Sequence, residues 1–302
     1  MKWKKLGQVY SPEKYQDTAR GGYGANPVAV KIEGDLYRIF FNIRDERNRA
    51  HVTFLDYDIK TYRIIEFNGE RIISPGPMGT FDDSGCSLGC VVDEGDYYFI
   101  YYLGWNLLKT VPFMNTIGLA IYDRKTQKCE KYSPAAILDR NSIDPISLSY
   151  PFVMKENGRY HMWYGSNISW RDTTFEKYNF LYFLKYAESD DGKHFRRDGR
   201  VCINGDGTEE YAFARPSVIR EDGIYKMWYT YRGDKYRVGY AESSDGLEWI
   251  RKDDEVDLLP SGDDWESDEV SYPFVFAHEG VHYMLYCGNA YGKTGFGIAV
   301  EA

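Results

Sequence analysis

The chain has 302 residues, of which 17% are aromatic, including 28 Tyr and 7 Trp, and its formal charge is −9. That acidity argues against a nucleic-acid partner, whose phosphates need a basic surface. No stretch approaches the roughly 20 apolar residues of a membrane helix. Aromatic residues on this scale suit strands and a core between sheets. Five scattered cysteines, at 86, 90, 129, 202 and 287, form no paired framework, which suits a reducing cytoplasm. The opening Met1-Lys2-Trp3-Lys4-Lys5 lacks the apolar run of a secretory signal, so the expected location is cytoplasmic.

Read in chain order, the elements repeat five times. The first copy runs Pro27, Gly34, Tyr37, Phe40, and the second Gly89, Gly95, Tyr98, Tyr102. The third runs Pro151, Gly158, Tyr160, Tyr164, the fourth Pro216, Gly223, Tyr225, Tyr229, and the fifth Pro273, Gly280, His282, Tyr286. From markers 27, 89, 151, 216 and 273 the steps are 62, 62, 65 and 57 residues. A period this long, filled with short strands and glycine turns, predicts the blades of a β-propeller.

Within a copy the pattern predicts four strands. Phe152–Met154 reads as innermost, Gly158 as the hairpin turn and Arg159–Tyr164 as the second strand. A small-residue signature marks the third: Gly118-Leu119-Ala120, Lys185-Tyr186-Ala187, Gly239-Tyr240-Ala241 and Gly297-Ile298-Ala299. The turns Asp190-Asp191-Gly192 and Ser244-Asp245-Gly246 then lead to outer strands carrying Phe195 and Trp249. The fifth copy ends after its third strand, and Met1–Lys5 resembles the outer strand Leu247–Arg251. The N-terminus is therefore expected to close the ring and remove a free sheet edge, making residues 1–302 one all-β, five-bladed domain. Two copies carry insertions, Leu103–Thr116 and Ser166–Phe183, expected as loops on the face with the central funnel.

Candidate chemistry gathers at that face. The second strands end in Gly104-Trp105-Asn106, Gly165-Ser166-Asn167 and Gly288-Asn289, with Arg44-Asp45 and Arg232 at the matching places. Amides and guanidinium groups beside Trp105, Trp170 and Tyr272 suit sugars, whose hydroxyls need partners and whose C–H faces stack on rings. The same asparagines also suit turn capping. Segments entering the innermost strands hold Asp82-Asp83, Asp144, Glu209-Glu210 and Glu266 with Asp268-Glu269. Paired carboxyls of unlike pKa perform glycoside cleavage. Asp83 and Asp268 are the acid/base candidates, with Asp45 and Glu210 in support. Arg215 precedes Pro216, which biases it toward extended backbone and an inward side chain. It suits either a structural ion pair or an anionic substrate group, as does Lys293. The five histidines show no ligand spacing, and Cys86 and Cys90, separated by three residues, have no second ligand pair nearby to complete a four-ligand site, so no metal or cofactor is expected.

The repeat Pro-x-Val…Gly-x-Tyr-x-x-Trp-Tyr…Gly-Tyr-Ala-x-Ser-x-Asp-Gly-x-x-Trp resembles the five-bladed propellers of glycoside hydrolase families 32, 43 and 130, from Trp3 through Ala302. The resemblance implies a carbohydrate or sugar-phosphate substrate in the funnel. Families 32 and 43 place an Asp directly before the first Pro, where this chain has Asn26 in an Asn-Pro pair like that of family 130. The Glu-Asp-Pro-Arg of family 130 is replaced by Ser87-Leu88-Gly89-Cys90. The acid two residues before a later Pro is replaced by Ser149, Ala214 or Ser271. Two readings follow. One is a glycoside hydrolase or phosphorylase with Arg44, Arg215, Asn26, Asn106, Asn167, Asn289 and Lys293 as its substrate clamp. The other is a non-catalytic carbohydrate-binding or scaffold propeller that keeps the funnel without the chemistry.

Overall fold

In the computed structural model, the residues described are 1–15, 22–174, 177–205, 210–262 and 265–302, without the side chains of 171–179. They form five four-stranded antiparallel sheets. Strand β1 (Trp3–Tyr10) leads into blade one, made of β2 (Ala25–Glu33), β3 (Leu36–Arg44), β4 (Ala50–Asp58) and β5 (Arg63–Phe67). Blade two comprises β6 (Gly85–Asp93), β7 (Tyr97–Leu107), β8 (Phe113–Asp123) and β9 (Cys129–Lys131). Blade three holds β10 (Leu148–Glu156), β11 (Arg159–Thr174), β12 (Lys177–Ser189) and β13 (Val201–Ile203). Blade four has β14 (Tyr211–Glu221), β15 (Ile224–Arg232), β16 (Tyr236–Ser243) and β17 (Ile250–Arg251). Blade five has β18 (Ser271–His278), β19 (Val281–Cys287) and β20 (Phe296–Glu301), completed by β1.

The innermost strands touch in the cycle β2, β6, β10, β14, β18 and back to β2, which closes the propeller. Trp3 pairs with Glu301 and Tyr10 with Phe296, so the N-terminal strand covers the last sheet edge as the sequence led us to expect. The aromatic repeat positions fill the spaces between blades. Trp163 and Trp228 are fully buried. The Trp163 indole donates to the Gly246 carbonyl at 2.8 Å and the Tyr101 hydroxyl to Gly192 at 2.7 Å. Each bond therefore ties one blade to the Asp-Gly turn of the next. Gly192 needs both its φ of 71° and its missing Cβ, which would stand 2.8 Å from the Tyr160 ring.

Three local expectations are corrected. The outer strand of blade three is Val201–Ile203, not the segment at Phe195. Asp191 accepts from the backbone of Lys193 and His194 and holds a turn there instead. The two insertions are strand extensions rather than loops, with β7 and β8 pairing out to Leu107↔Phe113 and β11 and β12 out to Thr174↔Lys177. Arg215 has φ 56°, not extended backbone. Each innermost strand shifts register near its start, between Ala25/Val28, Leu88/Cys90, Ser149/Phe152, Ala214/Ser217 and Ser271/Phe274. Asn26, Arg215 and Tyr272 sit in these bulges with positive φ. A bulge re-aims a side chain and overrides the preference of a residue before Pro.

Candidate functional site

The strand bulges and the starts of the third strands surround a cavity of about 260 Å³. Ser149, Tyr150, Ala212, Ala214 and Tyr272 reach it from innermost strands, and Asn115, Tyr182 and Tyr236 from third strands. Arg44, Leu103, Phe113, Phe180 and Tyr291 complete the wall. Tyr272 meets Tyr150 edge-on at 5.5 Å between ring centroids, and Tyr291 meets Tyr236 edge-on at 5.2 Å. Trp170 lies behind the wall, packed edge-on against Phe113 and Phe180.

Burial raises the pKa of the Tyr150, Tyr182, Tyr236 and Tyr272 hydroxyls. It pushes the Tyr182 hydroxyl up to about 12, against the lowering effect of Ser147 and neighbouring amides. It raises Tyr150 as well, although Asn26 and the cations of Arg44 and Arg215 act to lower it. The cavity thus offers aromatic faces, neutral hydroxyls, the Asn115 amide and the Arg44 guanidinium. A second depression shares Tyr236 and Tyr291 with it and contains Arg232, Asp268, Glu269 and Asn289. Burial raises the pKa of Glu269, outweighing its bonds from Ser271 Oγ (2.6 Å) and the Tyr291 amide (3.3 Å).

The four nominated carboxylates do not converge on the cavity. Asp45 accepts from the Arg47 and Arg49 amides and from Arg49 Nε within its own turn, and faces His51 Nε2 at 3.1 Å. Burial alone would raise its pKa, but the Arg49 amide, His51 and the Arg49 side chain hold it well below the usual carboxylate range. Asp83 accepts from the Gly79 amide, Asn106 Nδ2 and Ser84 Oγ, each within 2.9 Å. Burial pushes its pKa up, and those bonds more than offset the push. Glu210 forms a two-point ion pair with Arg251 on the outer strand, at 2.7 and 3.0 Å. Asp268 is exposed, beside Glu269 in the second depression. Glu209 lies outside the described residues.

A buried acid binds each entry segment to its own blade in three copies. Asp82 accepts from Tyr102 and Lys131, and Asp144 from Tyr164 and Lys185. Glu266 pairs with Lys5 at 3.0 Å. These acids stand seven residues before markers 89, 151 and 273, and Tyr102, Tyr164 and Tyr286 stand thirteen after them. Each charge-assisted bond fixes an entry loop to its own sheet, from the outer strand at Lys131 and Lys5 and from the third strand at Lys185.

Among the nominated binding residues, Arg44 and Tyr272 line the cavity. Arg215 is fully buried, and its guanidinium donates to the carbonyls of Gly89, Asn26 and Pro27. Asn26 is buried and donates to Asn42 Oδ1 at 3.1 Å and toward Tyr150 Oη at 3.5 Å. Trp105 packs on Gly85, where a Cβ would lie 2.1 Å from its Nε1. Asn106 clamps Thr80 and Asp83. Asn167 is buried beside Tyr182. Asn289 accepts from the Asp268 and Glu269 amides, a turn-capping role, while lining the second depression. Lys293 is exposed and does not line the cavity. The sequence reading missed Tyr150, Asn115, Tyr182 and Tyr236, and it named Glu269 among the entry-segment acids while ranking Asp268 above it. A signal for three of them exists: Asn115, Tyr182 and Tyr236 each stand three residues before the small-residue signature at 118, 185 and 239.

The chain is 43% identical over 303 residues to the uncharacterized protein MT1551 of Mycobacterium tuberculosis (strain CDC 1551 / Oshkosh), covering 99% of each. The uncharacterized protein Rv1502 of strain ATCC 25618 / H37Rv matches with the same identity and coverage. The chain belongs to the family of these two mycobacterial proteins. No family model matches. A 1,2-beta-oligomannan phosphorylase of Thermoanaerobacter sp. (strain X514) is 34% identical over 102 residues, 32% of this chain and 34% of that protein.

Among solved structures, a glycoside hydrolase superposes with a TM-score of 0.73 at 18% identity, covering 98% of this chain and 90% of its own. A thermostable family-43 glycoside hydrolase gives 0.68 at 16%, covering 92% and 87%. The GH43_1 enzyme from Xanthomonas citri complexed with xylose gives 0.65 at 14%, covering 97% and 93%. At these identities the likeness is one of fold: the five-bladed propeller of glycoside hydrolases.

Proposed function

We propose that this protein is a carbohydrate-active enzyme that holds one sugar ring in the axial cavity and acts on the bond directed toward Glu269. The observation that carries this reading is the cavity wall, with the rings of Tyr150, Tyr182, Tyr236, Tyr272 and Tyr291 around Asn115, Ser149 and Arg44. Aromatic faces suit the C–H faces of a sugar, and neutral hydroxyl and amide groups suit its hydroxyls. A volume of about 260 Å³ is close to the lower end of ligand sites, roughly 300 Å³, and suits a single ring.

Glu269 is the proton donor in this reading, since burial favours its neutral form. Hydrolysis commonly pairs two carboxyls across the bond, whereas the cavity lining contains a cation and no carboxylate. Phosphate, which brings its own nucleophilic oxygen, therefore suits the site better than water as acceptor. The partial likeness to a 1,2-beta-oligomannan phosphorylase supports the same direction.

The test is incubation with β-linked oligosaccharides, including 1,2-β-mannan, with and without inorganic phosphate. A sugar phosphate formed only with phosphate, and lost in Glu269→Gln at unchanged melting temperature, is the expected result. Sugar binding without any product would instead establish the second reading, a non-catalytic carbohydrate-binding propeller. The carboxylate-free lining favours that alternative.

A further inference from the structure

On the blade-edge face formed by the hairpins between first and second strands, neighbouring blades are joined by a recurring contact. The Tyr160 hydroxyl donates to Glu94 at 2.8 Å and the Tyr225 hydroxyl to Glu156 at 2.6 Å. Lys155 and Arg220 reinforce those two pairs. His282 takes the tyrosine place between blades four and five, with Nε2 3.4 Å from Glu221. In each case a glutamate five residues after the marker (89, 151 or 216) faces the next blade.

The seam that closes the ring reverses this chemistry. Five residues after marker 273 stands His278 rather than Glu, and the group facing it across the seam is Asp35 rather than a cation. His278 is buried, with Nε2 3.2 Å from Asp35 Oδ1 and Nδ1 3.0 Å from the Tyr37 hydroxyl. Glu279 adds a second carboxylate from the adjacent turn. One ligand atom from each of Asp35, His278 and Glu279 lies within 4.8 Å of the other two.

We propose that Asp35, His278 and Glu279 form a binding site for a divalent transition-metal ion, with zinc as the best-matched ion, that staples blade five to blade one. Imidazole with carboxylates suits zinc better than magnesium or calcium, which favour all-oxygen sets. Two ligands of a tetrahedral zinc with bonds of about 2.0–2.1 Å stand roughly 3.3 Å apart, close to the observed Nε2–Oδ1 separation. The Tyr37 hydroxyl fits the outer partner of a ligating histidine: with metal on Nε2, Nδ1 carries the proton and donates to the Tyr37 oxygen. Three protein ligands leave the fourth position to water. Binding displaces the proton of Nε2, where one is present, to solvent.

The site joins the two blades brought together by ring closure, so occupancy should appear as resistance to unfolding. Thermal melting of the chelator-treated full chain is the experiment, with zinc chloride as titrant and magnesium chloride as control. A saturable rise of about 4 °C at a hundredfold excess over Kd is expected with zinc, and none with magnesium. Glu279→Gln alters an exposed turn residue and should leave the fold intact while weakening zinc binding at least tenfold. Asp35→Asn should do the same, and His278→Ala should abolish the shift. Cobalt absorption separates this site from the five cysteines, because N/O ligation gives visible bands without a thiolate charge-transfer band. The proposal is overturned by no saturable zinc shift, by a shift that all three variants retain, or by a thiolate band in the cobalt spectrum.

Discussion

The Arg215 guanidinium donates to the backbone carbonyl of Gly89, linking the innermost strand of blade four to that of blade two across the ring. Its other terminal nitrogen reaches the Asn26 and Pro27 carbonyls of blade one at 3.2 and 3.3 Å. A planar fork of donors serves three carbonyls at once, which a lysine ammonium on a single stem does not. Arg215→Lys should therefore lower stability by about 2–4 kcal/mol, read from urea unfolding. An unchanged midpoint would show that the axial bonds contribute nothing.

Tyr236 stands on the wall shared by the axial cavity and the second depression. Tyr236→Phe removes one hydroxyl and keeps the ring, so sugar affinity should fall about tenfold, the equivalent of 1.4 kcal/mol, with little change in melting temperature. Calorimetric titration with the product of the phosphorolysis assay, or with the tightest-binding mannoside, makes the comparison. Equal affinity in the two proteins would remove Tyr236 from the site.

Asp83 is held in its loop by the Gly79 amide, Ser84 Oγ and Asn106 Nδ2. Asp83→Asn should destabilise the protein by about 1–2 kcal/mol at neutral pH and leave turnover per folded molecule near wild type. The pKa of Asp83 is lowered in the folded chain, so its contribution is present above the unfolded value near 3.8 and is lost as pH falls through the lower folded value. The stability gap between wild type and variant should accordingly close on acidification below about pH 4. A gap that persists there would contradict the assignment.

Glu269 has the opposite sign. Its folded pKa is raised, so it favours the folded state below the unfolded value near 4.5, and that advantage is lost as pH rises through the folded value. Glu269→Gln should flatten this part of the stability profile and match or exceed wild-type stability at neutral pH. The same change should reduce kcat by at least about a hundredfold. A large fall in melting temperature would identify Glu269 as structural.

Much of the fold was legible because the spacing of Pro, Gly and aromatic residues encodes local turns and the alternation of buried strand faces. Trp163 and Trp228 each stand twelve residues after their markers, Pro151 and Pro216, and both are fully buried. The site was less legible. Of the adjacent Asp82 and Asp83, the sequence reading favoured the second, whereas Asp82 turns inward to Tyr102 and Lys131. Which of two neighbouring acids turns inward depends on an outer-strand partner 49 residues away. Arg215 was expected to point inward from extended backbone; it does lie in the interior, from a bulge with φ 56°.

The amino-acid order alone determined the number of blades and the position of their hairpins, since both follow from a pattern repeated at short range, and the likeness of Met1–Lys5 to the outer strand Leu247–Arg251 pointed to the N-terminal closure of the ring. Only the tertiary structure decided that tyrosines rather than carboxylates surround the axial cavity. A cavity wall assembled from five blades depends on strand bulges and on the direction of each side chain, and long-range packing sets both.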